Sequence, residues 1–374
     1  MSSPTTQHEW TDRAAVAERA VLSRSVRRLW CLPGTRLGVI SWPASWGHRL
    51  FLGWNYWWQA HLLDCVVDAA VRDPGTDRRA LATRIARGIR FANAGRWTNS
   101  YYDDMAWLAL ALQRSDLHLG TDNRRAIARL AATIHHGWSG AEGGGVPWRH
   151  GDVFKNVPAN GPAAILAVRT GDIPRAIETA DWIDTRLRDP ATGLIWDGLR
   201  PDPAGGTLFE RTVYTYCQGV VLGADTELAL AAPERERFVA RVSRLVAAVD
   251  TRLAAGGVLS GHAGGDSGLF GGILARYLAL VADRLPGTDD AAELARRTAR
   301  RLILASAEAA WNNAATVGEE TGSAGPVFGP DWSRPAVLPA PGWPPERDLS
   351  VQLSGWMLME AAAASSPVRP DPIG

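Results

Sequence analysis

Apolar and polar positions along the chain fall into helical blocks of two kinds. Some blocks are apolar on nearly every face: residues 54–71 read WNYWWQAHLLDCVVDAAV and residues 350–364 read SVQLSGWMLMEAAAA. Others, such as 77–92 and 289–309, carry Arg and other charges on one side and Ala, Leu or Ile on the other. The pattern predicts twelve helices, over residues 12–29, 54–71, 77–92, 103–115, 122–136, 156–169, 173–188, 211–229, 233–253, 269–284, 289–309 and 350–364, with Thr11 capping the first. Odd-numbered helices carry more charge, and most even-numbered ones are apolar or rich in small residues. No period-2 alternation persists, so no sheet is expected.

Connections leaving the even helices are short. Those entering them are long and hold nearly every Gly cluster and most of the Trp. Six helical hairpins recurring at roughly 50–60 residues form an internal array. Two concentric rings explain the alternation: apolar even helices inside, amphipathic odd helices outside, in an all-α barrel. An open solenoid is the alternative, and the one-sided distribution of long loops favours closure. In the barrel both termini lie near the seam, and the long loops open together above the N-termini of the inner helices. That face is the expected functional face.

Composition narrows the classes. Lys and Arg number 40 against 39 Asp and Glu, so no strong field exists for nucleic acid or another polyanion. Most Arg fall on helix-like stretches and are expected on solvated faces. Hydrophobic content of 46% over 374 residues supports a large core. A single domain over 1–374 is expected, with 365–374 a flexible tail, and a monomer. Cys31, Cys65 and Cys217 form neither a disulfide framework nor a metal-like spacing. No apolar leader or membrane-length segment is visible, so a cytoplasmic protein is expected on the sequence as given, extracellular if an export signal was removed.

The candidate chemistry centres on Asn99-Ser100-Tyr101-Tyr102-Asp103-Asp104 ahead of a buried helical run. One Asp at a helix start is an ordinary cap. Two there, partly desolvated, repel each other, so one pKa rises while the other group stays ionised. That division suits acid/base hydrolysis of a glycosidic bond. The aromatic composition points the same way: 17 Trp against 6 Tyr and 7 Phe, with Trp42, Trp97, Trp148, Trp196 and Trp343 among those in or beside the long loops. Indole stacks on the apolar faces of sugar rings, and these five are candidate glycan contacts, unless they merely pin the loops.

The segment YYDDMAWLALA resembles the catalytic stretch of glycoside hydrolase family 76, the α-1,6-mannanases and their relatives. Further matches follow in order: Gly144, Gly145, Trp148, Lys155, Asn156, Asn160, Gly161 and Pro162; then Tyr214 or Tyr216 before Gln218-Gly219; then Phe270, Gly272, Ile273, Arg276 and Tyr277. The resemblance implies an (α/α)6 barrel and a retaining glycosidase acting within α-1,6-mannan, with Asp103 the nucleophile, Asp104 the general acid/base and no cofactor or metal. Its partner would be a neutral oligo- or polysaccharide containing α-linked mannose. Tyr102, Trp148, Asn156, Tyr216 and Gln218 are candidate sugar contacts; Asp152 and Asp266 could bind hydroxyls or cap helices. Two positions depart from the family's pattern: Met105-Ala106-Trp107-Leu108 replaces Glu-Gly-Trp-Trp, and Gly271 stands where Lys is common. Asp64 and Asp68, spaced i, i+4, are weak metal ligands without His. Other readings of the scaffold are a sugar epimerase or isomerase using His262, and an inactive glycan-binding protein.

Overall fold

The computed structural model describes residues 5–318, 323–338 and 344–366. The chain enters through α1 (Gln7–Ser25) on a capping box. Thr6 Oγ1 accepts the Glu9 N–H, and the Glu9 carboxylate accepts the Thr6 N–H. Those bonds satisfy otherwise free amides, so the helix starts earlier than Thr11. It stops at Ser25 because Val26 and Arg27 pair with Leu37 and Gly38. A single turn, α2 (Trp46–Arg49), interrupts the next loop. The other helices are α3 (Tyr56–Arg72), α4 (Arg79–Ala92), α5 (Tyr102–Leu119), α6 (Arg124–His136), α7 (Val157–Thr170), α8 (Ile173–Leu187), α9 (Thr215–Ala231), α10 (Arg235–Arg252), α11 (Phe270–Arg284), α12 (Asp290–Asn312) and α13 (Leu349–Ser365).

The apolar helices α3, α5, α7, α9, α11 and α13 each pack on the next, and α13 returns to α3, closing an inner ring. The amphipathic helices α1, α4, α6, α8, α10 and α12 cover it from outside, with α1 laid on α13 at the seam. This is the (α/α)6 barrel. Side chains such as Leu62, Leu108, Leu222, Ile273 and Trp356 are wholly buried between the rings. Each such residue contributes about 1.5–3 kcal/mol by leaving water. Two glycines set how closely the inner helices approach. A Cβ on Gly219 would lie 2.9 Å from the Leu274 Cα, and one on Gly272 would lie 2.6 Å from the Ser354 Cα.

One device recurs around the ring. The fourth residue of four inner helices is a buried amide that bonds both the N–H and the C=O of one residue in the incoming loop. Gln59 does this to Gly38, Asn160 to Val146, Gln218 to Ile195 and Gln352 to Phe328. Each side chain acts as one strand residue would, satisfying a loop backbone carried under the rim. The remaining donor of each bonds a carbonyl at the helix start: Trp54, Asn156, Tyr214 and Glu346.

Short strands stiffen the long loops, contrary to the expectation of none. The largest set is three-stranded, 155–156 with 198–201 and 207–210. Strands this brief show no readable alternation; the backbone pairs because a loop on the rim must satisfy its amides. The 207–210 strand is also why α9 begins at Thr215, later than 211. Ser365 and Ser366 are buried and the Ser365 carbonyl accepts Arg300 Nε, so these two residues of the expected tail are packed on the barrel; residues 367–374 lie outside the described ones.

Several Arg expected on solvated faces lie inside instead. Arg114 and Arg276 each bridge Asp64 and Asp68, tying α3, α5 and α11 together. Arg72 joins Glu18 (2.6 Å) to Glu360 (2.9 Å), and Arg78 joins Glu18 at 2.7 Å, which pins α1 and α13 to α3 at the seam. The Asp64 and Asp68 carboxylates are therefore neutralised by guanidinium groups. No described helix is long and apolar enough to cross a membrane.

Candidate active site

Loops enter the inner helices from one face, and the first turns of those helices floor a cleft there. At α5 the start is fixed from outside: the Tyr102 N–H bonds the Trp148 carbonyl (3.0 Å), and the His150 N–H bonds the Ser100 carbonyl (2.7 Å). This stitches the 146–156 loop over the helix and brings its indole to the first turn. Trp148 Nε1 donates to Asp103 Oδ2 at 3.0 Å, and the Asp104 backbone N–H donates to Asp103 Oδ1 at 2.9 Å. Asp104 Oδ2 accepts Asn99 Nδ2 at 2.5 Å, while Asn99 Oδ1 accepts the Tyr101 N–H.

Burial raises the pKa of both carboxyls, and the negative charge of Asp266 raises them further. They are held differently. Two N–H donors favour ionised Asp103; Asp104 has one donor, and its burial, with the facing Asp103 charge added, pushes it well above the usual carboxylate range. The pair can hold a single proton near neutrality, on Asp104.

Around the pair lie aromatic rings and further acids. Tyr216 stacks on Phe270 at 4.0 Å and 13°, and Trp57 stands beside both, 6.4 and 6.5 Å away. Asp266, in the turn before α11, accepts the indole N–H of Trp57 (3.0 Å) and of Trp58 (2.9 Å). Asp197 is buried between the 198–201 strand and α9; desolvation and the Glu210 charge push it up to about 7. Tyr56, in the first turn of α3, donates to the Trp97 carbonyl, and both burial and the Asp104 charge raise its pKa.

Of the residues picked from the sequence, Trp148, Tyr216 and Asp266 gather around Asp103 and Asp104. Others have structural duties. Asn156 caps α7, its Oδ1 accepting the Ala159 N–H, and Gln218 is one of the amide latches. Asp152 closes its own loop through the Val153 and Phe154 N–H groups and Arg149. The Tyr102 ring packs on Gly137, where a Cβ would lie 2.5 Å from it. Trp42 sits under Arg24 (4.9 Å) and Trp97 under Arg90 (5.5 Å); Trp196 rests on Phe209 (5.7 Å) with Arg211 above it (5.0 Å). Trp343 lies outside the described residues. His262 Nε2 is 2.6 Å from the Thr215 hydroxyl, and burial lowers the ring to about 4, so the imidazole is neutral. Met105 is buried in the core; Gly271 lies under Trp332, 3.0 Å from where a Cβ would stand.

Trp57, Trp58 and Asp197 belong to this site and were not singled out from the sequence; Asn99 and Phe270, quoted there only as members of motifs and given no role, belong to it too. A signal for three of them existed. Trp57 and Trp58 occupy the same first-turn positions of α3 that Asp103 and Asp104 occupy in α5, and Phe270 opens α11. Aligning the starts of the inner helices would have found them.

The profile described as Glycosyl hydrolase family 76 matches residues 9–368. No curated protein matches the chain. The chain is similar to the solved family 76 α-1,6-mannanase of Salegentibacter sp. HEL1_6: 29% identity, TM-score 0.80, covering 95% of this chain and 99% of that one. An inactive variant of that enzyme, with two consecutive aspartates changed to asparagine, was solved with α-1,6-mannotriose, again at 29% identity, TM-score 0.80 and the same coverage. A Listeria innocua protein shares the fold at TM-score 0.80 and 24% identity, covering 95% of this chain and 97% of that one.

Proposed function

The chain belongs to glycosyl hydrolase family 76, and from that premise we propose that it hydrolyses α-1,6-mannosidic linkages within mannan or its oligosaccharides, with retention. Asp103 attacks the anomeric carbon while Asp104 gives its proton to the departing glycosidic oxygen, leaving a glycosyl ester on Asp103. Asp104, now ionised, takes a proton from water, whose oxygen attacks the same carbon and frees Asp103. The observation that carries this reading is the unequal hydrogen bonding of the pair: two donors on the nucleophile and one on the acid. Trp57, Tyr216 and Phe270 offer an aromatic wall to a sugar face. The preference for internal α-1,6 linkages rests on the likeness to the Salegentibacter enzyme.

The experiment compares an α-1,6-mannooligosaccharide with an aryl α-mannoside for wild type, Asp103→Asn and Asp104→Asn. Asp103→Asn should lose both activities. Asp104→Asn should lose the oligosaccharide by roughly 10²–10⁴-fold yet retain more of the aryl substrate, whose leaving group scarcely needs an acid. Azide should rescue it and give the α-linked azide. Wild-type activity in both variants would falsify the assignment, and a β-configured first product would overturn retention. Cleavage of another α-linked glycan but not of this one would remove mannan while leaving the mechanism.

A further inference from the structure

From Arg19 through Leu63 the chain has no Asp or Glu, but it has six Arg. In a protein whose charges nearly balance over the whole chain, this is a marked local excess. The stretch includes the loop from α1 to α3. That loop carries the largest cluster of exposed apolar side chains joined by described contacts: Trp46 is 75% exposed, Leu52 73%, Trp30 51%, Leu50 40% and Leu32 37%. They form one surface. Trp30 Nε1 donates to the Leu50 carbonyl at 2.7 Å, and the Leu52 N–H bonds the Gly47 carbonyl at 3.1 Å. The backbone is defined there: Trp30, Cys31 and Phe51 hold positive φ, so Trp30 is presented outward by a fixed turn.

Exposed Arg27, Arg28 and Arg49 lie within or beside this cluster in the chain, and none makes an ion pair among the described residues. Arg87 of α4 reaches the same loop at the Gly34 carbonyl, 3.4 Å away. Asp348, which bridges to Ser41 at the loop's other edge, turns its carboxylate to the Gly265 N–H. Exposed Trp and Leu flanked in the chain by exposed Arg that form no ion pair among the described residues match the chemistry of an anionic bilayer surface: indole at the headgroup boundary, guanidinium on lipid phosphate. The loop ends at Asn55, so the next turn of chain carries Tyr56 and Trp57 into the cleft.

We propose that this loop docks the protein on an anionic lipid surface, with Trp46, Leu52 and Trp30 inserted and Arg28 and Arg49 against phosphates. The cleft then opens beside the bilayer, where a glycan carried on a lipid would present itself. The docking stands on the loop's own chemistry and not on the linkage that the cleft cleaves.

The test is co-sedimentation of the full chain with vesicles of phosphatidylcholine alone and of phosphatidylcholine and phosphatidylglycerol mixed one to one. Binding is expected to the mixed vesicles, with a blue shift of Trp fluorescence, and to weaken with salt. Trp46→Ala with Leu52→Ala should weaken it more than tenfold, and each of Arg28→Glu and Arg49→Glu by about fivefold or more. All these positions are exposed, so the variants should keep the wild-type Tm. Absence of binding to the mixed vesicles overturns the proposal, as does binding that the variants leave unchanged. So does a wild-type dimer in sedimentation velocity that Trp46→Ala with Leu52→Ala dissociates, because the patch is then covered by a second copy.

Discussion

Trp148 and Asp103 are joined across the mouth of the cleft: the indole N–H meets the carboxylate oxygen at 3.0 Å, from a loop that begins beyond the next helix. With the Asp104 N–H on the other oxygen, this bond keeps Asp103 ionised where burial favours its neutral form. It is the side-chain contact by which the 146–156 loop reaches Asp103, beside the backbone bond from the Tyr102 N–H to the Trp148 carbonyl.

Trp148→Phe keeps the ring and removes the donor. A hydrogen bond to a charged group is worth about 1.5–3 kcal/mol, so kcat should fall by roughly 10- to 100-fold. Losing a donor to a carboxylate raises its pKa, so the acidic limb of the kcat–pH profile should move to higher pH. An unmoved limb with the same loss of rate would mean that Trp148 only holds the loop.

Asn99→Ala removes the one donor to Asp104. Its pKa should rise further, and the acid must be protonated to act, so the basic limb should also move to higher pH. The rate at the optimum should fall because the carboxyl is no longer aimed. An aryl α-mannoside should feel this less than an oligosaccharide. Equal losses on both substrates would place Asn99 with the nucleophile instead.

Gln218→Met should destabilise the fold by about 3 kcal/mol or more, since it leaves the Ile195 N–H and C=O and the Tyr214 C=O without their partner and each orphaned group costs about 1–3 kcal/mol. Urea denaturation measures it. A loss below about 1 kcal/mol would show that the loop finds other partners and that the latch is dispensable.

Asp225 is buried in α9, and desolvation pushes it up to about 7 from 3.8, although Arg241 at 4.0 Å opposes this. The native state therefore binds more protons than the unfolded chain between those values, and this group's contribution to stability falls as pH rises through that window. Asp225→Asn should remove that slope. Its Tm should exceed the wild-type value above pH 7, and the gain should shrink toward pH 4. Parallel Tm–pH curves would assign the slope to other groups, Glu360 first, since burial also raises it to about 7.

The hydrophobic pattern alone determined the twelve long helices, which of them face inward and which face carries the long loops. Those features follow from periodicity and loop length, which are local. The Asp103-Asp104 pair was legible for the same reason: two neighbouring charges ahead of an apolar run are a local anomaly. What the pattern left open depended on partners distant in sequence. Gln218 looks like a sugar ligand in a string of letters, but a buried amide goes to whichever backbone group is unsatisfied, and only the packed loop shows that this is Ile195; Asn156 is instead a local cap, taken up by the Ala159 N–H three residues on. Arg114 and Arg276 look like surface charges until the ring closes and sets Asp64 and Asp68 between them. The proton's place on Asp104 was decided last of all. It depends on Trp148 reaching Asp103 and on Asn99 reaching Asp104, and the Trp148 contact exists only once the 146–156 loop is folded over α5.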